Sequence, residues 1–539
     1  MKRRIILSAI LGLFLSFLFY FGTKFMDATL SDRLVEYNIT DLIIPLLICI
    51  PVAFFFYFFL EIKVKLKEDK SFKLKRWHIF IPLTIISIIM LLAYFPGHYP
   101  YDSFYMRWTY DNQNYTTHYS PLVSFLIGSF FSLGNALDSE HAGHAIMIVL
   151  QFLFVNLVMT EIIFYCSKKL KKKSFGILFA IFFMFHPLVQ SLLIRSGQDT
   201  IFGGLFLLIL LTLLKLSEGE NFFDRKIKYV IFGLLIFLFC ATRNNGIYAL
   251  IPTIFFGIFA LKDKNIRKKV FLTTLIPTII FLGYNHFLIG NIVKSKDSFF
   301  QETINVPIMQ IARAAHDHPD DESTRGELTE YFKEDCDAWI NEKWSFEKYN
   351  RSAGISDPYK NCLIVEKVEE NPLKFFDLWR RIGEKYPASY FEAPLVFTLG
   401  LYHPYLPYPA KEPGHEVPFE WHTYVDCFYI TYEVYGLKTS SLIPNLQWFM
   451  FSIISEQKWS QVPVMHLLWG APFTTFTLFL AYVFTFYRKK YQYFLPLSFC
   501  LGLFITVMLA PVMLFRYLFP LVITTPILFY VILKSWKTT

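Results

Sequence analysis

The chain has 539 residues, of which 54% are hydrophobic and 19% aromatic but only 18% charged, and its mean hydropathy is +0.39. Soluble domains carry about 25% charged residues, so this composition excludes an ordinary soluble protein and predicts a polytopic membrane protein. The formal net charge of +9 does not by itself indicate a polyanionic partner, because the charges follow membrane topology, as described below.

Taken in chain order, twelve apolar segments are long enough to cross a hydrocarbon layer roughly 30 Å thick. We therefore predict an all-α polytopic membrane protein with about 12 transmembrane helices. The first segment follows three basic residues and resembles a signal peptide, but no small-residue cleavage site follows it, so we interpret it as a retained anchor. The segments lie near residues 5–22, 42–61, 78–95, 144–166, 174–193, 200–216, 229–242, 246–261, 270–289, 464–487, 492–511 and 517–534.

The lysine and arginine residues predict the orientation. With the N-terminus in the cytoplasm, the inner ends and loops contain 29 of the 52 basic residues, and the short outer loops contain only 6. The remaining 17 lie in one long outer loop, to which the positive-inside rule does not apply. This asymmetry predicts a multi-pass protein of the cell membrane with cytoplasmic N- and C-termini and a large extracellular loop. It also accounts for the positive charge without a nucleic-acid partner.

This topology divides the chain into three parts. Residues 1–289 form a transmembrane module whose first large outer loop is 96–143. Residues 290–462 form a mostly helical extracytoplasmic domain between spans 9 and 10, and residues 463–539 form the C-terminal transmembrane helices. The apolar run 122–135 would reverse the charge asymmetry if it crossed the membrane, so we interpret it as a re-entrant or surface-lying helix.

The first large outer loop carries an acid within a run of aromatic residues. Tyr101, Phe104, Tyr105 and Trp108 recur at helical spacing and form one aromatic face, which suits the membrane–water interface. Asp102 lies beside that face, where a carboxylate can accept a proton from a substrate that meets a lipid-linked reagent. The alternative is that Asp102 caps a short interfacial helix.

Other ionisable residues of the predicted outer loops lie on the same side of the membrane. Such groups are costly near membrane depth and mark cavities or functional sites, although a single arginine is also explained as an interfacial anchor. Because several loops converge on one side, we predict Asp102 as the catalytic residue. The predicted substrate-binding residues are His118, Arg195, Asp199, Arg243 and Arg516.

The outer domain contains two helical patterns and three cysteines. One pattern begins after Asn371, and the other begins after Pro444 and is predicted to lie on the membrane. Cys336 and Cys362 are candidates for a disulfide bond in an oxidising compartment, with Cys427 as a rival partner. The other four cysteines fall in or beside predicted spans, where cysteine packs as a small apolar residue.

Two clusters contain residue types that bind metals. The stretch His316–Glu322 is rich in them, but a proline followed by acids is also a good helix start, which is the interpretation we favour. Glu140, His141 and His144 share one side of a helical turn and are candidates to bind a metal together with Asp102. We predict no defined metal site, so the cofactors stay unknown and a divalent metal ion stays open. Motifs for soluble nucleotide chemistry, a nucleophile elbow or a cysteine-pair zinc site are absent from the sequence.

Several different short motifs follow one another along the chain, in or beside the predicted outer loops. They are Pro96-Gly97 with Asp102-Ser103, His118-Tyr-Ser-Pro121, His186-Pro187, Gln198-Asp199, Arg243-Asn-Asn-Gly246, Val306-Pro-Ile-Met-Gln-Ile-Ala-Arg313, Ser356-Asp-Pro-Tyr-Lys360, Gly383-Glu-Lys-Tyr-Pro387 and Arg516-Tyr517. In these motifs the chain resembles the GT-C superfamily of integral-membrane glycosyltransferases, particularly an uncharacterised Gram-positive group within it. Relatives often have a lysine where Gln198 precedes Asp199, so Arg195 or Arg243 would supply the missing cation.

The resemblance implies a GT-C-like fold and transfer of a sugar from a polyprenyl-phosphate carrier to a cell-envelope acceptor on the outer face of the membrane. The acceptor is a glycan or a glycolipid, and the lipid of the donor lies in the membrane. Asp102 would act as the base, with inversion at the anomeric carbon. Arg243 and Arg516, and next Arg195, would bind the leaving phosphate, and Asp199 would assist.

Two alternatives stay open from the sequence. A polysaccharide polymerase or ligase that uses a diphosphate-linked glycan would depend on loop arginines, Arg380 and Arg381 among them. A transporter or flippase also suits twelve spans, although it would be expected to show internal repeats and charged groups at mid-membrane.

Overall fold

Most of the chain folds into α-helices, which are joined by short loops and two small sheets. The computed structural model describes residues 2–30, 33–62, 68–69, 72–116, 118–220, 222–291, 293–295, 303–333, 336–339, 342–344, 360, 362–403, 437, 440–454, 462–510 and 514–536, and structural statements concern these residues. The helices before residue 300 are α1 (Lys2–Leu30), α2 (Thr40–Phe59), α3 (Trp77–Ala93), α4 (Tyr101–Asp111), α5 (Pro121–Ala136), α6 (Glu140–Leu170), α7 (Lys173–Met184), α8 (Pro187–Leu193), α9 (Gln198–Ser217), α10 (Lys226–Thr242), α11 (Gly246–Phe255) and α12 (Lys264–Asn291).

A second series of helices follows residue 300. It consists of α13 (Asn305–Asp317), α14 (Glu322–Leu328), α15 (Val365–Glu370), α16 (Pro372–Lys385), α17 (Pro387–Phe397), α18 (Leu399–Tyr402), α19 (Pro444–Ile454), α20 (Pro463–Trp469), α21 (Ala471–Tyr487), α22 (Phe494–Met508), α23 (Phe515–Val522) and α24 (Thr525–Trp536). In the two sheets, β1 (Tyr115–Thr116) pairs in parallel with β2 (Val293–Ser295), and β3 (Cys336–Trp339) pairs antiparallel with β4 (Glu342–Trp344).

Six of these helices are long and apolar enough to cross a membrane, and the number rises to eight if two bent helix pairs each count as one span. The prediction of an all-α membrane protein is therefore confirmed as a class, with six to eight candidate spans among the described residues. Several other predicted spans correspond to shorter apolar helices of 10–17 residues, such as α3 and α21. Helix α9 is the most enclosed candidate span, since 83% of its apolar window is buried, compared with 11% for α2.

The chain forms two compact units. The first comprises residues 1–62, 298–423 and 508–514, and the second comprises 63–297, 424–507 and 515–539. These units are defined by contacts within the protein. The predicted division into a transmembrane module, an extracytoplasmic domain and C-terminal transmembrane helices refers to a membrane and stays a prediction.

Local sequence signals explain several helix boundaries. Asn371 caps α16, its side chain accepting a hydrogen bond from the Lys374 amide at 3.1 Å, and Pro372 occupies the first helical position. The predicted helix start within His316–Glu322 is also confirmed, because Asp321 caps α14 and accepts from the Thr324 amide. The apolar run 122–135 forms α5, as predicted, and its relation to the membrane stays a prediction.

A break between α7 and α8 lies within the second unit. The two helices are bent by 71°, and Pro187 begins α8, where a missing amide hydrogen costs nothing. The break is supported by buried polar contacts: the Ser87 hydroxyl donates to the Gln190 amide oxygen at 3.0 Å and accepts from the Asn156 amide at 3.1 Å. These bonds join α3, α6 and α8, and the chain continues from α8 directly towards Arg195 and α9.

The first unit contains a buried charged cluster. The Arg313 side chain, on α13, is 1% exposed and is paired with Glu392 on α17. Its Nε lies 3.5 Å from a carboxylate oxygen of Asp317, which also accepts from the Ser389 hydroxyl at 2.8 Å. Tyr37 donates to the other oxygen of Glu392. Each charged group thus has a partner in an interior where an isolated charge would be costly.

Replacing Arg313 by methionine should leave two carboxylates buried without their cation, at a cost of about 3–5 kcal/mol in stability. The expected result is a markedly lower midpoint of thermal unfolding, which is measured by tryptophan fluorescence of the protein in detergent. Arg380→Met is the matched control, because Arg380 lies on the exposed face of α16, and its midpoint should equal that of the wild type. Equal midpoints for the two variants would contradict the role of the cluster.

The cysteines of the chain divide as predicted where the structure describes them. Cys49, Cys166, Cys240 and Cys500 have free thiols, and the last three are buried. Cys362 is disulfide-bonded. Its partner must be Cys336 or Cys427, the two cysteines whose side chains lie outside the described part.

Because one disulfide bond uses two of the seven cysteines, five thiols should react with a maleimide in the denatured, unreduced protein. All seven should react after reduction. Mass spectrometry of the labelled protein measures the count, and the Cys336→Ser and Cys427→Ser variants identify the partner, since only one of them should release the Cys362 thiol. Seven reactive thiols before reduction would show that no bond forms.

Candidate active site

Two helices that begin beside each other carry the acids of the candidate site. Asp102 lies in the first turn of α4, and Asp199 lies in the first turn of α9. Just before these helices, the His98 amide donates to the Ile194 carbonyl at 2.7 Å, and the Ser196 amide donates to the His98 carbonyl at 2.9 Å. This parallel pairing joins the two helix starts, where partial positive charge favours ionised carboxylates.

The pairing depends on two glycines with left-handed backbone conformations. Gly97 has φ +107° and Gly197 has φ +130°. A Cβ atom on Gly97 would lie 2.8 Å from Cγ1 of Ile148 and 2.9 Å from the carbonyl oxygen of Ile194, which is closer than ordinary contact. A side chain at Gly97 would therefore strain the backbone and push apart the segments that precede the two acids.

Two arginines connect the carboxylates. Nη1 of Arg516 donates to Oδ2 of Asp102, and Nε of the same guanidinium lies 3.8 Å from Oδ2 of Asp199. Nη1 of Arg243 donates to Oδ1 of Asp199. Arg243 directly follows α10, and Arg516 is the second residue of α23, so four helix ends contribute to one ionic cluster. We refer to Asp102, Asp199, Arg243 and Arg516 as the four-residue cluster.

The ring of Tyr517 packs against both guanidiniums. The guanidinium carbon of Arg243 lies 4.3 Å from the ring centroid and that of Arg516 lies 5.1 Å from it. The Tyr517 hydroxyl also accepts from Nη2 of Arg516 at 3.4 Å. Such cation–π contacts orient the planar guanidinium groups and offset the loss of their hydration.

Asp102 forms an ion pair and does not cap its helix. The N-cap position of α4 is Pro100, and no side chain caps the helix. Burial opposes ionisation of the Asp102 carboxyl, but the charges of Arg516 and Arg195 and the hydrogen bond from Arg516 outweigh it and hold its pKa below the usual value. The Asp102 side chain is still 19% exposed, compared with 11% for Arg516, so the carboxylate is only partly buried.

The other two predicted site residues lie near this cluster. Arg195 is buried, and its backbone carbonyl accepts from the Gln151 amide at 2.7 Å, while its charge helps to lower the pKa of Asp102. His118 is exposed and packs edge-on against Tyr119, with ring centroids 4.6 Å apart, and it also contributes to lowering the pKa of Asp102. Asp199 binds Arg243 and lies 3.8 Å from Nε of Arg516.

The stretch after His118 connects the aromatic face to Arg243. The Ser120 hydroxyl donates to the Ala241 carbonyl at 2.6 Å, at the end of α10. The Tyr119 ring lies parallel to that of Tyr105, with centroids 6.3 Å apart. Burial and the negative charge of Asp102 raise the pKa of Tyr119, so its hydroxyl stays protonated.

Helix α4 is anchored at its far end by Arg107. The guanidinium donates to both carboxylate oxygens of Glu140 at the start of α6, lies 3.2 Å from Asp111, and covers the ring of Phe131 at 4.1 Å. A two-bond contact of this kind is directional and restricts the rotation of α4. Arg107 therefore keeps Asp102, one and a half turns earlier, directed towards the cluster.

The residues considered as metal ligands, and the two arginines of α16, form contacts outside the four-residue cluster. Glu140, a proposed metal ligand, is bound by Arg107, and Nδ1 of His144 lies 3.1 Å from the Pro96 carbonyl. In the part of the chain that the structure describes, no group of three or more acid, histidine or cysteine side chains is arranged to hold a metal ion. Arg380 and Arg381 lie on exposed α16, where they pair with neighbouring acids.

Sequence reasoning therefore identified the charged residues of the site but not their supports. In the sequence analysis, Tyr517 was included in a motif with Arg516 but was assigned no role. The isolated charge of the adjacent Arg516 was the signal that could have pointed to it. Tyr119 and Arg107 were missed as functional supports, since their importance depends on contacts between helices far apart in the chain. Arg516 and Arg243 bind the two carboxylates, and the charge of Arg195 also acts on Asp102, so the site combines three cations of a kind that suits an anion.

Removing the Arg516 cation should destabilise the protein, because Asp102 and Asp199 would then repel each other without their bridge. We expect Arg516→Gln to cost about 3 kcal/mol, and the double variant with Asp102→Asn to recover a substantial part of that loss. Thermal unfolding of the purified variants measures both effects. Strictly additive losses in the double variant would show that Arg516 and Asp102 do not interact.

Comparison with known proteins gives one match. Residues 98–539 match the protein family described as a family of unknown function, DUF6020. No curated protein and no solved structure matches the chain. The matched region begins just before Asp102 and includes every residue of the four-residue cluster, together with Arg195 and His118. The chain belongs to the DUF6020 family.

Proposed function

We propose that this protein is a glycosyltransferase that moves a sugar from a polyprenyl-phosphate carrier to a cell-envelope acceptor. The observation that supports the proposal is the four-residue cluster: a partly exposed carboxylate at one helix start is paired with Arg516, and the charge of Arg195 also acts on it. A transferase of this kind needs a base for the acceptor and cations for the leaving phosphate, and both occur here within hydrogen-bonding reach of each other.

The proposed topology is the one that the charge asymmetry predicts. The protein crosses the membrane about twelve times in a GT-C-like arrangement, with both termini in the cytoplasm and the four-residue cluster on the outer face. The disulfide bond of Cys362 supports an oxidising compartment for the outer domain, because such bonds are rare in the cytosol. An outer site would meet a carrier lipid whose sugar phosphate lies at the membrane surface.

Arginines suit the donor better than lysines would. A guanidinium is always protonated and offers several donors in one plane, which match the oxygens of a phosphate. Arg243 and Arg516 flank the ring of Tyr517, so their groups are oriented before the donor binds. Arg195 contributes further positive charge from its buried position. The lipid chain of the donor would lie among apolar helices of the membrane region.

In the proposed reaction, Asp102 accepts the proton of the acceptor hydroxyl. The oxygen electron pair then forms a bond to the anomeric carbon while the bond from that carbon to the phosphate oxygen breaks. The electron pair of the broken bond stays on the phosphate, which gains negative charge and is stabilised by Arg516 and Arg243. A single displacement inverts the anomeric centre. Asp199 orients both arginines through its contacts with them.

The polymerase or ligase alternative receives less support. It depends on arginines of the outer domain, yet Arg380 and Arg381 are engaged by Asp377, Glu384 and Glu327 on an exposed surface. Exposed ion pairs of this kind are usually solvated features of a helix surface. The transporter alternative would require charged groups near mid-membrane, whereas the four-residue cluster lies at helix ends.

Replacing Asp102 by asparagine should abolish transfer, because the amide cannot accept the proton of the acceptor. We expect a loss of about 10²–10⁴-fold in the rate of transfer. The measurement is the composition of envelope glycans in the native host, compared with wild type and with a deletion at matched protein level. Loss of one specific sugar in both the variant and the deletion is the expected result.

Asp138→Asn is the control, since Asp138 has an exposed side chain in the turn between α5 and α6 and belongs neither to the four-residue cluster nor to its supports. It should retain the glycan composition of the wild type. An unchanged glycan in Asp102→Asn, with the sugar lost in the deletion, would exclude Asp102 as the base. No change even in the deletion, in a host without a paralogue, would exclude the transferase.

A further inference from the structure

The ion pair between Asp102 and Arg516 poses a problem for the proposed reaction. A base must have an available lone pair and a pKa close to the working pH. The contact with Arg516 occupies one carboxylate oxygen and stabilises the ionised form. Asp102 is therefore ionised but weakly basic while this pair persists.

The same guanidinium is one of the two groups that would bind the donor phosphate. Its Nη1 atom donates to Asp102, its Nη2 atom donates to Tyr517, and its Nε atom lies 3.8 Å from Asp199. All three nitrogens are thus directed towards protein groups in the absence of a donor. A phosphate that takes the Nη1 donor of Arg516 must therefore displace the Asp102 carboxylate from it.

We infer that Arg516 holds Asp102 in an ion pair until a lipid-linked phosphate takes over the guanidinium, which releases the carboxylate to act as the base. The inference rests on the proposed function and describes how its site is controlled. The donor then binds before the acceptor, because the acceptor hydroxyl meets only a weakly basic carboxylate until the phosphate is in place. An acceptor that binds without a donor would therefore keep the proton of its hydroxyl.

Charge and geometry make the exchange favourable. Arg516 and Arg243 bind the two acids, and the charge of Arg195 also acts on Asp102, so an anion that enters the cluster meets several cations. The oxygens of one phosphate can bind Arg516 and Arg243 together. Asp102, by contrast, binds Arg516 through a single carboxylate oxygen. As the sugar leaves, the phosphate becomes a monoester with more charge, so its hold on both arginines increases.

Competition for one cation has a measurable consequence for binding. If Asp102 and the phosphate exchange on Arg516, removal of the Asp102 charge should tighten phosphate binding, and the effect should require Arg516. General repulsion between Asp102 and an anion would also tighten binding, but it would not depend on Arg516. The two explanations are therefore separated by a double-variant cycle.

The experiment measures binding of farnesyl phosphate, a short isoprenyl monophosphate, to the purified full-length protein in nanodiscs. We expect Asp102→Asn to bind about tenfold more tightly than wild type. Arg516→Gln should bind more weakly, and the double variant should bind no more tightly than Arg516→Gln alone. Asp138→Asn, which removes an exposed acid in the turn between α5 and α6, should bind as wild type does.

Unchanged or weaker binding by Asp102→Asn would overturn the inference. Equal tightening by Asp102→Asn in the wild-type and Arg516→Gln backgrounds would do so as well, because repulsion would then suffice. Absence of binding to the wild type would overturn both the inference and the proposed donor class. Binding without coupling, together with loss of transfer in Asp102→Asn, would retain the proposed function and reject only the exchange.

Discussion

The contacts of Arg516 with Asp102 and Asp199 are the interaction on which the candidate site depends. The three residues come from the starts of α4, α9 and α23, which are distant in sequence. Two carboxylates this close would repel each other in a partly buried position, so the guanidinium allows both helix starts to approach. The pairing of His98 with Ile194 provides the backbone support, and Gly97 allows it because a side chain would not fit.

In the proposed mechanism, the same interaction would combine stability with control of chemistry. Arg516 would neutralise an acid in the resting protein and a phosphate in the reacting complex, and these two partners would compete for it. The Tyr517 ring supports the guanidiniums of both Arg516 and Arg243, so an exchange of partners does not require them to leave their positions. In the first unit, by contrast, Arg313 is 1% exposed and fully enclosed by Asp317 and Glu392, which suits a structural cluster.

Helical patterns in the sequence predicted local structure well. Asn371 before Pro372, and Asp321 within an acidic stretch, begin helices where capping rules place them. The predicted spans correspond less directly to the structure. Among the described residues, six helices have the length and hydropathy expected of a span, and α7 and α8 are separated by a 71° bend. Hydropathy measures the composition of a window and is insensitive to such a break, whereas the bond between Ser87 and Gln190 that supports it joins distant segments.

The sequence by itself determined the helical membrane class, the caps of several helices and the identity of the charged residues in the candidate site. These features depend on composition and on neighbours within a few positions. Only the tertiary structure decided that Arg516 pairs with Asp102, that Arg243 pairs with Asp199, and that His118 stays exposed. The physical reason is that each ion pair depends on the approach of two helix ends, and sequence order alone specifies neither their distance nor their orientation.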